Sequence, residues 1–471
     1  MIGLATERIT DHLTTLPEQP MHRSAGAKKV ARSLREGIPT KPTAFPKLLR
    51  TLFGRALRLG LNTASGGYLA YIPGGGLPHA AIADLITATV NRYVGVWLAA
   101  PGLVQIEANV VAWLAEIAGM PSATAGGVLT TGGSMANLIA IVTARRERLP
   151  PDFLRGVIYT SDQTHHSVRK AAVLAGFPEA RVRELPSRGS LKLDPEALSL
   201  AISEDRKAGL TPFLVVANAG STNTGAVDDL GEIADVASRD ALWFHVDGAY
   251  GAFFRLTERG MQRLRGMERA DSVTLDPHKG LFLPYGTGCL VVRDRDTLRR
   301  AHAMTASYLP PMQSEDDLID FCELSPELSR EARGVRVWLP LKMHGVSAFR
   351  EALDEKIDLA RALAVEIAAL PDAEIVDGPE LSLFAFRIVP SDRKLDGLGL
   401  DALNHAILSG VNARQRVHIT GTVVRGRFVL RVCVLSFRTH QVHADALLDD
   451  LRASIRDALI ARPQKADESS D

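Results

Sequence analysis

The chain has 471 residues, 46% of them hydrophobic and 23% charged, which is the balance of an ordinary globular protein too long for one simple core. Its formal net charge of +1 supplies no strong cationic field and argues against nucleic acid as a partner. The three cysteines, Cys289, Cys322 and Cys433, lie far apart without metal-ligand or CxxC spacing, so neither a disulfide framework nor a metal is expected and a reducing compartment is.

The amino end, Met1–Pro20, has no apolar run suited to a signal peptide or a membrane span, and the expected location is cytoplasmic. Met1–Ala25 and Pro463–Asp471 read as loose or partner-dependent ends. Thr130–Leu138, TTGGSMANL, opens a helix that continues through Arg145, Arg146 and Arg148, whose charges read as a solvated face. From there β-rich runs alternate with helical patterns. The strand GVIYT (156–160) precedes a helix over Ser167–Gly176, and VRELP near Arg183 precedes a helix over Asp194–Ala208. FLVVANA from Phe213 precedes a helix near Asp228–Ser238; then come LWFHVD (242–247), SVTLD (272–276) and CLVVRD (289–294). Apolar strands alternating with helices predict crossover units and a mostly parallel sheet covered on both faces. In such sheets ligands sit at the carboxyl ends of the strands.

After Met343 the pattern changes. A long amphipathic helix from Val346 to about Leu370 is followed by LFAFRIV, a helix near Leu400–Leu408, and the runs VHITGTVV and RFVLRVCVL. Arg425 and Gly426 between those runs predict a tight hairpin, and a last helix is expected from about Ala444 to Ala461. This is the signature of a smaller α+β domain. No internal repeat is visible.

Four segments carry candidate chemistry. In DSVTLDPHKGLFLPYGTG (271–288), Lys279 stands just beyond a buried strand with His278 before it, where a desolvated lysine can act as a nucleophile; a snorkelling surface lysine is the alternative. In WFHVDGAY (243–250), Asp247 ends an apolar strand, a costly place for a carboxylate unless a cation such as a protonated pyridine nitrogen faces it; a helix-capping role is the alternative. Gly133 and Ser134 could present free backbone N–H groups to an anion at a helix N-terminus, although many such turns are simple caps. In SDQTHHSVRKA (161–171), His165 or His166 could stack on a planar ring or be a satisfied loop histidine, and no further ligands stand at metal spacing.

In this order, SDQxHxS, HVDxAY and PHK identify the chain as resembling the group II pyridoxal phosphate (PLP)-dependent decarboxylases of aromatic amino acids, glutamate and histidine, from about Gly66 to Thr439. The resemblance implies a fold-type I α/β large domain (78–342), a small C-terminal α+β domain (343–471) and an N-terminal helical arm (1–77) that wraps a second subunit, hence a homodimer with no membrane association. It implies that Lys279 holds PLP as a Schiff base, that His278 shapes the substrate pocket and that Asp247 pairs with the pyridine nitrogen while Ala249 packs on the ring. It places His165 on the opposite ring face, Gly133, Ser134, His166 and Ser167 around the phosphate, and Ser221 and Thr222 close to the cofactor. Tyr71, Ile72 and Pro73, with Tyr93 and Gly95, match the family's substrate-pocket segments.

Three positions depart from the family. Asp276 stands where many members carry Asn beside the phosphate, and Met135 follows the phosphate serine in place of Glu or Thr. Counting back from Trp338, the loop tyrosine that protonates the carbanion left by CO2 falls on Phe321; Tyr308 is not its obvious replacement. Without that phenol oxygen can compete, giving an aldehyde, ammonia and hydrogen peroxide in place of an amine. Another group, such as His165, water or Glu323, supplying the proton is the alternative. Decarboxylation of an L-amino acid, aromatic before acidic, is therefore the expected activity, with oxidative decarboxylation–deamination the rival and a non-catalytic PLP-binding protein the reading from another class.

Overall fold

In the computed structural model of the protein, residues 1–304, 312–313, 315, 317–392 and 395–460 are described. Tyr308 and the carboxyl end from Pro463 lie outside them. The chain forms two compact units, one of 76–364 with 375–386, the other of 1–75 with 365–374 and 387–471.

Seven strands build the sheet of the larger unit: β1 (Gly126–Thr130), β2 (Gly156–Ser161), β3 (Val182–Leu185), β4 (Thr211–Asn218), β5 (Trp243–Asp247), β6 (Ser272–Leu275) and β7 (Gly288–Val292). Their order is β1-β7-β6-β5-β4-β2-β3, with every pairing parallel except the two that β7 makes. β2, β5 and β7 are buried along their whole length, which explains why they read as continuous apolar runs and not as alternations. The sheet is thus mostly parallel, as the crossover pattern predicts, but β1 and the reversed direction of β7 are not legible in that pattern.

Helices Gly133–Arg148 and His166–Leu174 cover one stretch of the sheet through a core of Ile141, Ala144, Val168 and Ala171 against Ile158, Phe213 and Trp243. Each large apolar side chain buried here contributes about 1.5–3 kcal/mol. Local signals set the helix starts. His165 caps its own helix by accepting the Ser167 N–H, and Asp194 accepts that of Glu196 ahead of Pro195 at the first helical position. The long helical run Arg333–Ala368 breaks at Gly345 (φ 71°, ψ 158°), so the expected helix from Val346 stands behind an additional segment from Arg333 to His344.

In the smaller unit, β8 (Thr420–Val424) and β9 (Arg427–Cys433) pair antiparallel with Val424 opposite Arg427. Arg425 (φ 50°) and Gly426 (φ 73°) are the two left-handed residues of the connecting turn, the conformation a two-residue hairpin requires. Helices Gly397–Ala413 and Gln441–Ile460 pack on each other, with Arg414 Nε donating to Ser454 Oγ at 3.2 Å. No helix among the described residues is long and apolar enough to cross a membrane.

Candidate active site

β1, β2, β4, β5 and β6 all end at the same edge of the sheet, and there the chain encloses a cavity of about 370 Å³. Gly133, Ser134, His165, Ser167, Ser221, Thr222, Asp247, Ala249, Asp276, His278 and Lys279 line it, together with Met135, Asn137, Asn218, Tyr250 and Tyr285. A volume above 300 Å³ at the carboxyl ends of parallel strands suits a small ligand.

One wall is made for an anion. Gly132 takes φ 153°, ψ 173°, a conformation essentially confined to glycine, and turns the chain from β1 into the helix that starts at Gly133. A Cβ on Gly133 would stand 3.0 Å from Asp276 Oδ2 and 3.1 Å from Ala249 Cβ, so glycine is what leaves that space open. The first N–H groups of this 16-residue helix therefore meet the cavity without a side chain in the way.

The floor is Asp247, at the end of β5 in register between Asn218 and Thr274 and only 8% exposed. Its Oδ1 accepts the Ala249 N–H at 3.1 Å and its Oδ2 accepts Asn137 Nδ2–H at 3.0 Å. Among the described residues no cationic side chain hydrogen-bonds it, so a cation arriving in the cavity finds a prepared partner.

Lys279 and His278 sit on the short helix Pro277–Gly280 after β6. Lys279 Nζ lies 2.9 Å from Asp276 Oδ2, while the other oxygen of Asp276 is buried with no hydrogen-bond partner among the described residues. His278 Nδ1 donates to the Thr287 carbonyl at 2.5 Å, because that carbonyl can only accept. Burial pushes His278 below its usual pKa against the opposing pull of Asp276, whose Oδ2 lies 3.7 Å from Nε2; in the neutral ring that nitrogen carries no proton.

His165 is fixed in the other tautomer. The Ser167 backbone N–H reaches its Nδ1 at 3.3 Å and the Ser167 hydroxyl lies 2.7 Å from the same nitrogen. A backbone N–H can only donate, so Nδ1 is bare and the proton sits on Nε2. Burial again lowers the pKa, more than Asp247 raises it.

These features fit PLP. A lysine, a carboxylate hydrogen-bonded only by neutral donors and so open to a ring nitrogen, a glycine-walled helix start for a phosphate and a histidine ring line one cavity of suitable size. Asp276 Oδ1 further leaves a buried acceptor for a hydroxyl or water brought with the group.

Other residues singled out by the sequence lie elsewhere. His166 is exposed, its ring centroid 4.3 Å from that of His165, and it does not line the cavity. Tyr93, Gly95 and Phe321 form a second cluster: Tyr93 Oη donates to the Leu328 carbonyl at 3.0 Å, and the Gly95 carbonyl accepts the Cys322 N–H at 2.9 Å. Phe321 is fully buried beneath the Arg330 guanidinium, 4.8 Å from its ring centroid, and is absent from the cavity wall. Tyr71 (φ 54°, 60% exposed), Ile72 and Pro73 belong to the smaller unit. Sequence reasoning missed Asn137 as a site residue. Its signal was its place three residues after Ser134, which puts both on one face of the helix.

The pyridoxal-dependent decarboxylase conserved domain matches residues 29–389. An aromatic-L-amino-acid decarboxylase from Bacillus atrophaeus is 34% identical over 460 residues, covering 98% of this chain and 95% of the relative. The crystal structure of Oryza sativa TDC with PLP and tryptamine superimposes with a TM-score of 0.92 at 28% identity, covering 97% of both chains. That of Rhodiola rosea 4-hydroxyphenylacetaldehyde synthase does so with a TM-score of 0.88 at 25% identity, again over 97% of both chains.

The chain belongs to the pyridoxal-dependent decarboxylase family. It is a fold-type I, PLP-dependent carboxy-lyase of the group that includes the aromatic amino acid decarboxylases.

Proposed function

We propose that this enzyme removes the α-carboxyl group of an aromatic L-amino acid as CO2 and releases the amine. The observation that carries this reading is the convergence of Lys279, Asp247 and His165 on one cavity, joined to the 34% identity with a relative named for that activity. Lys279 would hold PLP covalently, Asp247 would face its ring nitrogen and Ala249 one ring face. Gly133, Ser134 and the helix start would hold its phosphate, with Thr222 beside the ring, while both donors of Ser167 are engaged by His165. Bound there, PLP supplies the electron sink for the pair left when CO2 departs.

The chain's own groups set the geometry. His165 carries its proton on Nε2, so it can donate to a substrate carboxylate and fix the direction of the breaking bond. Asp247, held in place by the Asn137 and Ala249 N–H groups, would favour a protonated ring nitrogen. His278 presents a bare Nε2 and can accept a proton from the substrate amine.

A second reading is oxygen-dependent decarboxylation–deamination to an aldehyde, ammonia and hydrogen peroxide. It is favoured by phenylalanine at position 321 and by the likeness to an aldehyde synthase. A product balance on PLP-loaded enzyme with tryptophan, tyrosine, phenylalanine and DOPA, with and without oxygen, decides between them. CO2 matched by amine is expected; CO2 matched by ammonia and peroxide would establish the second reading, and no CO2 would refute both.

The working unit is proposed to be a cytoplasmic homodimer. A single-chain mass by light scattering at micromolar protein would refute the dimer.

A further inference from the structure

Behind Asp247 lies a buried polar chain that the reaction as described does not use. Asn137 Nδ2 contacts both Asp247 Oδ2 and Ser167 Oγ, each at 3.0 Å. Asn137 Oδ1 is met by Thr274 Oγ1 at 2.7 Å and His245 Nε2 at 3.1 Å. His245 Nδ1 lies 2.8 Å from Ser272 Oγ, which also accepts Trp243 Nε1–H at 2.8 Å. Asn137, His245, Ser272 and Thr274 are each at most 1% exposed.

One fixed donor orders every proton in this chain. The Ser167 backbone N–H leaves His165 Nδ1 bare, so the Ser167 hydroxyl donates to that nitrogen. Ser167 Oγ must then accept from Asn137, which assigns the amide nitrogen to the Ser167 and Asp247 side. The amide oxygen therefore faces Thr274 and His245, and His245 must carry its proton on Nε2. Burial, opposed by Asp247, pushes the His245 pKa down to about 4 and keeps it neutral, so Nδ1 is bare and accepts from Ser272.

We infer that His245 is a positioning residue that acts through Asn137. Its Nε2–H holds the Asn137 amide in the one orientation that donates to both Asp247 Oδ2 and Ser167 Oγ. The partner of the ring nitrogen is thereby oriented by one buried imidazole, which also keeps a donor on the Ser167 hydroxyl beside His165. A reversed amide would turn its oxygen toward the Asp247 carboxylate and leave Ser167 without its donor.

This inference rests on the placement of the PLP ring nitrogen at Asp247. The experiment compares His245→Leu, His245→Gln, Asn137→Asp, the double variant His245→Leu/Asn137→Asp, and Asp247→Ala. Each is read by thermal midpoint, by PLP titration of the apo-protein and by the absorbance of bound PLP. His245→Leu is expected to weaken PLP about tenfold and shift the bound spectrum. His245→Gln, whose amide N–H reaches the Nε2 position, should restore both. Asn137→Asp, nearly isosteric but without the amide N–H groups and setting a second carboxyl against Asp247, should lose at least as much, and adding His245→Leu to it should cost nothing further.

Folded His245→Leu with unchanged affinity and spectrum would overturn the proposal, as would additive losses in the double variant. If Asp247→Ala also leaves affinity and spectrum unchanged, the placement of the ring nitrogen fails as well. Loss in Asp247→Ala alone removes only the role of His245.

Discussion

Asp276 Oδ2 lies 2.9 Å from Lys279 Nζ, one helical turn away, with the carboxylate 1% exposed. A lysine nitrogen attacks a carbonyl only as the free amine, and a carboxylate at this distance stabilises the ammonium. Asp276→Asn, the residue many family members carry, should therefore attach PLP to apo-protein about tenfold faster near neutral pH. Stopped-flow absorbance measures this; an unchanged or slower rate would mean that Asp276 does not restrain Lys279.

Gly133→Ala separates folding from cofactor binding. Gly133 opens its helix, where the interior preference of about 1 kcal/mol for alanine is reduced, and the new contacts are close, so the thermal midpoint of the apo-protein should change little. The added Cβ, 3.0 Å from Asp276 Oδ2 and 3.1 Å from Ala249 Cβ, narrows the phosphate wall. PLP affinity by titration should fall about tenfold, a loss of roughly 1.4 kcal/mol; unchanged affinity would place the phosphate elsewhere.

Phe321→Tyr tests the rival reaction. The ring is fully buried under Arg330 and off the cavity wall, so an added hydroxyl left unpaired there costs about 1–3 kcal/mol. The proposed amine-forming enzyme should lose thermal stability and keep its product ratio. A shift from peroxide to amine in the variant would instead establish the aldehyde-forming reading.

Two buried imidazoles set an acid limit. His245 and His302 are both pushed by burial from 6.5 to about 4, His302 with help from Arg146 and Arg145. Unfolded, each takes a proton near pH 6.5; folded, neither does until about pH 4. The unfolded state thus binds more protons in this window, and stability falls as pH falls through it, by up to about 3 kcal/mol per histidine. The apparent thermal midpoint should drop steadily from pH 7 to 4.5. His302→Gln, on a helix outside the cavity, should flatten that drop while leaving turnover at pH 7 unchanged; an identical slope would mean that His302 is not buried neutral.

Much of the site could be read before folding because its parts are local. Asp247 at the end of WFHVD, Lys279 in PHK and Gly133–Ser134 at a helix start each announce themselves within a few residues, since a strand end or a helix N-terminus is a short-range event. Position 321 shows the limit of that reading. Counting along the chain assigns a register, but the ring's burial under Arg330 depends on how residues 320–333 lie on the larger unit.

Sequence alone thus determined the alternation of strands and helices, the carboxyl-end location of the charged and small residues, and the family they spell. Hydrophobic period and turn chemistry act over a few residues and survive in the linear order. The tertiary structure alone decided that β7 runs against its neighbours, that Asn137 lies under Asp247, and that His245 stands behind Asn137. Those contacts join residues about a hundred positions apart, and only the order in which strands pair brings them within hydrogen-bonding reach.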